Sequence, residues 1–134
     1  MAETTFCALP PETLTAILSP LRPDASHLAI EPDMSLVLGP ATPPPGGYAI
    51  DESHSYVAFA VEGPAAAELL AQGIALDFDR LPADFAGRTR LGEIAIILQR
   101  CPDGYVLRCE RSYGEWLAGW LAEAMRVRLL SGGI

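Results

Sequence analysis

Two histidines, three cysteines and one dense polar cluster are the residues of this 134-residue chain whose types could do chemistry. Their spacing limits what that chemistry can be. No two of Cys7, Cys101 and Cys109 stand at metal-finger spacing, and neither His27 nor His54 sits in a zincin arrangement with a glutamate, so a zinc site has no support. Cys7 and His27 can be drawn as nucleophile and base, but such a pair needs a third group to orient the imidazole and the sequence offers none. Simple burial of Cys7 is the plainer reading. A Gly-rich phosphate loop and a Gly-x-Ser-x-Gly elbow are both missing.

The dense cluster is Asp51-Glu52-Ser53-His54. Asp51 and Ser53 are ordinary turn formers whose side chains bond nearby backbone groups, and His54 is left as a candidate polar contact to a partner. Arg88 and Arg90 alternate, so both guanidinium groups project from one face of a strand, either into water or onto carboxylates of another subunit. In the reading that continues this strand to Gln99, the same face carries Gly92, Ile94, Ile96 and Leu98. Trp116 and Trp120 stand one helical turn apart; core packing explains at least one, and an exposed indole in a small protein marks an interface.

The elements that must position these residues follow from periodicity. Pro10-Pro11-Glu12-Thr13, with Leu14, Ile17 and Leu18 at helical spacing, predicts a short N-terminal helix of about two turns. Met34 to Leu38 reads as a strand, and the Pro-rich run from Gly39 to Gly47 as a stiff connection. Residues 1–47 are therefore expected to be an extension. Ser55 to Glu62 is apolar on both faces, as in a strand covered on both sides, and Ala65 to Gln72 predicts a helix closed by Gly73. Ile74 to Gly87 reads as an irregular stretch anchored by Leu76, Phe78 and Leu81.

Thr89 to Gln99 predicts one long strand, joined through Asp103-Gly104 to Tyr105–Glu110 in a hairpin that sets Arg100 opposite Leu107. Cys101 and Cys109 then lie about 10 Å apart, beyond the ~7 Å reach of a disulfide, so thiols are expected. Ser112 and Glu115 match a capping box opening a final helix with a wide apolar face, and residues 131–134 form a flexible tail. From Ser55 the order is strand, helix, strand, strand, helix: a small single α/β (α+β) domain.

Composition agrees with such a domain and excludes several function classes. Half of the residues are apolar and the net charge is −8, with all nine basic residues arginine, which disfavours nucleic acid as a partner. The longest apolar run, Tyr56 to Val61, falls far short of the ~20 residues of a membrane span. An odd cysteine count and an N-terminus without a basic and apolar leader point to a soluble cytoplasmic protein.

The run Asp51 to Gly73, with Ala75-Leu76-Asp77, Arg88-Thr89-Arg90-Leu91, and Glu110-Arg111-Ser112-Tyr113 leading into Trp116-Leu117 and Trp120-Leu121, resembles the gamma subunit of heterotetrameric sarcosine oxidase. The order Ser-His, strand, Gly-Pro-x-Ala and helix is similar to the wider aminomethyltransferase (glycine-cleavage T-protein) superfamily. The resemblance implies an aminomethyltransferase-like α/β domain over residues 48–130, resembling part of a folate-binding domain. It also implies an accessory subunit that assembles with larger alpha, beta and delta-type subunits, on which FAD, FMN, NAD and tetrahydrofolate reside. The complex oxidatively demethylates sarcosine or a related N-methyl amino acid. Active members carry paired aspartates on the strands matching Leu91 to Leu98, where this chain has Glu93 as its only acid. No catalytic, cofactor-binding or metal residue is therefore expected on this chain, and Arg88, Arg90, Trp116, Trp120 and His54 are its candidate interface residues. A stand-alone folate-binding protein of the same superfamily and a structural oligomeric protein are the alternative readings.

Overall fold

The structure is a computed structural model and describes residues 3–18, 27–31, 34–39, 41–42 and 45–132. In chain order the elements are β1 (Thr5–Ala8), β2 (Leu14–Leu18), β3 (His27–Glu31), β4 (Met34–Leu38), β5 (Tyr48–Asp51), β6 (Tyr56–Glu62), α1 (Ala66–Leu70), β7 (Ala86–Leu91), β8 (Ile94–Cys101), β9 (Gly104–Glu110) and α2 (Gly114–Gly132). Two antiparallel sheets result, a five-stranded one in the order β1-β6-β9-β8-β7 and a four-stranded one in the order β3-β4-β2-β5. The mixed α/β class and the antiparallel hairpin match the sequence reading.

Alternation decides how the layers stack. Val57, Phe59 and Val61 of β6, with Leu107 and Cys109 of β9 and Ile94, Ile96 and Leu98 of β8, turn to one face and bury against Leu69 and Leu70 of α1 and Leu117, Leu121 and Ala124 of α2. The opposite face carries Ala58, Ile97 and Arg108, and there the four-stranded sheet lays down Leu14, Ala16, Leu28 and Leu36 around Ile97. This second cover is why β6 is apolar on both sides.

Several expectations are corrected. The segment expected as a helix, Leu14–Leu18, is strand β2, paired with β4 on one side and β5 on the other. Its sequence also alternates, with β-branched Thr15 and Ile17, and ladder pairing on both edges overrides the short i, i+3, i+4 pattern. The N-terminal residues are more than an extension: β1 pairs with β6 in the main sheet, the Thr4 hydroxyl accepts a hydrogen bond from the Ala65 amide at 2.8 Å, and strands β2 to β5 build the second sheet. The long strand Thr89 to Gln99 is two strands, because Gly92, at φ +59°, opens a two-residue turn that pairs Leu91 with Ile94. Ile94, Ile96 and Leu98 consequently face the helices, and Arg88 and Arg90 face the other way.

The β8–β9 hairpin turns at Pro102-Asp103 rather than Asp103-Gly104, so Arg100 faces Tyr105 and Leu98 faces Leu107. Gly104 is a pairing residue. A Cβ there would lie 2.0 Å from the Val61 carbonyl oxygen, so only glycine lets β9 approach β6 at that point. Gly73 likewise does not serve as a left-handed helix cap; its missing Cβ makes room for the Trp120 ring, which would be 2.5 Å away. Ser112 lies inside the 3-10 turn Arg111–Tyr113 that precedes α2, so it is not the helix cap, and Ser131 and Gly132 belong to α2 rather than to a tail. Gly133 and Ile134, and the side chain of His27, lie outside the described residues.

Candidate subunit interface

The turn at Gly92-Glu93 brings two of the candidate residues to one edge of the main sheet. Arg90 reaches forward along the outer face and donates to the Glu93 carbonyl. Trp116 approaches from the helix side and rests on the turn, its ring 3.5 Å from where a Gly92 Cβ would stand, and it remains 46% exposed. Trp120, one turn further along α2, is packed over Gly73 and against the core. The two indoles thus differ, one packed against the core and one half exposed.

Arg88 is exposed on the same face as Arg90 and donates to the Met34 sulfur at 3.6 Å, which ties β7 to β4. It also lines a small cavity of about 40 Å³ with Tyr56, Ile97, Arg108 and Glu110. Burial pushes the Tyr56 phenol up, with Arg88 acting in the opposite sense. His54 is exposed just before β6, with two strands, β9 and β8, lying between β6 and β7, and its carbonyl accepts from the Arg111 Nε at 3.0 Å. It is not part of the Arg90–Trp116 edge. Asp51 is held below the usual carboxylate range by hydrogen bonds from Ser53, the Asx-turn arrangement expected of the polar cluster.

Arg108 is the functional-looking group that sequence reasoning missed. It is 2% exposed in the middle of β9, where its Nε and one terminal nitrogen each donate to a different oxygen of Glu12 at 2.9 Å while the other terminal nitrogen donates to Gln99 Oε1 at 2.8 Å. Planar fork geometry of this kind is what makes arginine, rather than lysine, tolerable in an interior. The only signal in the sequence was an arginine inside an otherwise apolar strand.

Two open depressions among the described residues do not suit a flavin or a folate. The cavity beside Arg88, about 40 Å³, is small and partly open to solvent. The roomier depressions, of about 460 and 430 Å³, are open and carry Glu3, Glu62 and Asp103 in one and Glu68, Asp77 and Asp79 in the other. Carboxylates so placed repel the phosphates of a nucleotide cofactor and the glutamate tail of a folate. Glu93, the lone acid between Leu91 and Leu98, is exposed in a turn. Among the described residues no group of three or more His, Cys, Asp or Glu side chains could hold a metal ion. The three cysteines are free thiols. Burial pushes the Cys109 thiol up to about 11, with Glu110 adding to the effect, which is the opposite of what a nucleophile needs.

The fold is a small mixed α/β domain whose main-sheet edge presents Arg90 and Trp116. Its architecture is that of a chain in the structure "Heterotetrameric Sarcosine Oxidase from Corynebacterium sp. U-96 in complex with pyrrole 2-carboxylate", with a TM-score of 0.80 at 18% identity over 92% of this chain and 84% of that one. No protein-family model matches the sequence, and no curated protein matches it. Among the described residues no helix is long and apolar enough to cross a membrane.

Proposed function

We propose that the chain is a non-catalytic, gamma-type subunit of a heterotetrameric sarcosine oxidase-like complex. In this reading it supports the oxidative demethylation of sarcosine or a related N-methyl amino acid, and the chemistry, with its FAD, FMN, NAD and tetrahydrofolate, belongs to larger alpha, beta and delta-type subunits in the cytoplasm. The observation that carries it is the shared fold over nearly the whole chain with a component of a heterotetrameric oxidase. The acids lining the two roomier open depressions, which disfavour those cofactors, support the division of labour.

The proposed contact surface centres on Arg90 and Trp116, with Arg88 beside them; Trp120 supports it from the core, and His54 is a separate contact. A partner carboxylate buried between the two guanidinium groups loses about 2 to 5 kcal/mol of binding when one fork is truncated, whereas solvated arginines lose almost nothing. Removing a hot-spot indole costs at least about 2 kcal/mol. The test is co-elution with the larger subunits of Arg88→Ala/Arg90→Ala and of Trp116→Ala, after circular dichroism establishes that each variant folds. Weakened assembly is expected. Unchanged affinity in every variant would place the contact elsewhere on the molecule.

A further inference from the structure

Residues 14–51 form one continuous insertion between β1 and β6, strands that pair directly with each other in the main sheet. The chain enters this insertion through Leu9–Thr13 and leaves it through Glu52–Ser55. The two crossings are fastened together: the Leu14 amide donates to Ser53 Oγ at 3.0 Å, and the Glu52 amide donates to the Leu14 carbonyl at 2.9 Å. The four-stranded sheet thus joins the main sheet through a closed neck, and it also meets β7, where β3 lies alongside and Arg88 donates to Met34 of β4. Glu12, on the incoming crossing, holds the buried guanidinium of Arg108 on the sheet below.

We propose that the sheet of strands β2 to β5 is a hinged flap that opens on this neck as one body, and that the Glu12–Arg108 pair is the latch that sets how often it opens. Three features carry the inference. Its apolar seat, formed by Leu14, Ala16, Leu28, Leu36 and partly buried Met34 on Ile97, Tyr56 and Ala86, is smaller than the cluster between the main sheet and the helices. Its sheet is complete in itself, since β2 has both of its partners, β4 and β5, within the insertion. The charge beneath it is paired from the neck, so opening by itself is enough to return Arg108 to water. A buried arginine deprived of its carboxylate is costly, and this geometry relieves that cost by local opening and leaves β6 to β9 folded. Closed, the flap covers Ile97 and Arg108; open, it uncovers them together.

Native-state hydrogen exchange with mass spectrometry on the full chain tests this. In the wild type, the amides of β2, β4 and β5 are expected to exchange through an opening that leaves β6, β8 and β9 protected. Glu12→Gln should accelerate the first group by about 100-fold or more and leave the second within about threefold. Adding Arg108→Met to Glu12→Gln should bring the first group back to within about tenfold of wild type, because no charge then remains to be rehydrated. Should Glu12→Gln fail to fold, the wild-type exchange and the double variant still decide. A single common opening for both sheets in the wild type, equal acceleration of both in Glu12→Gln, no acceleration of β2, β4 and β5, or no recovery in the double variant would each overturn the latch.

Discussion

Arg108 illustrates how little of a buried ion pair is legible in a strand. Tyr105, Leu107 and Cys109 alternate with Val106 and Arg108, the pattern of a strand with one solvated face, and nothing nearby announces that Glu12, 96 residues earlier, will cover it. The tryptophans were more readable: one packs and one is exposed, and Gly73, which Trp120 needs, looked instead like a helix cap. The cysteines yield a direct prediction. Cys109 is buried with its thiol pushed up to about 11, whereas Cys7 is exposed. Iodoacetamide at pH 8 should therefore modify Cys7 first and reach Cys109 only after denaturant is added, as mass spectrometry of the peptides would reveal; early labelling of Cys109 would contradict its burial. The sign for stability follows. Between the ordinary thiol value of 9.0 and about 11 the folded chain retains a proton that the unfolded chain loses, so Cys109 lowers stability as pH rises through that window and has no effect below it.

Among the elements, three with a strong local pattern were read correctly from the sequence. Met34–Leu38, the strand after Ser55 and the C-terminal helix were found where expected. What failed depended on distant contacts: β2 is a strand because β4 and β5 pair with it, and the β8–β9 register follows from the close passage of Gly104 by Val61. Glycine substitutions test this at the element scale. Gly104→Ala would set a methyl against a backbone carbonyl that cannot step aside without breaking the β6–β9 ladder, and should cost about 3 kcal/mol or more in denaturant unfolding. Gly73→Ala meets a ring rather than backbone; it should cost about 1 to 3 kcal/mol and shift the Trp120 emission. Gly119→Ala, with open space around it in the middle of α2, should stabilise the helix slightly, by up to about 1 kcal/mol. If all three behaved alike, the packing described at Gly104 and Gly73 would be wrong.

At the scale of the whole molecule, the fold was legible as a small α/β domain because the run from Asp51 onward carries most of the main sheet and both helices. The second sheet was not legible, since its strands are short, separated by proline-rich stretches, and apolar on faces whose cover comes from elsewhere. Its outer end leaves Leu18, Leu38, Tyr48 and Ile50 exposed on the face that also carries Leu14 and Leu36. The proposed role as an accessory subunit rests on a fold shared with a component of an oxidase. The most direct measurement is purification of the affinity-tagged chain from its own cells under gentle conditions, with mass spectrometry of every co-eluting chain and an absorbance spectrum of the eluate. The account predicts near-equimolar larger chains and a flavin spectrum that stays with those chains when the complex is dissociated. Recovery of the folded chain alone and colourless, or of flavin retained by the chain itself after dissociation, would contradict it.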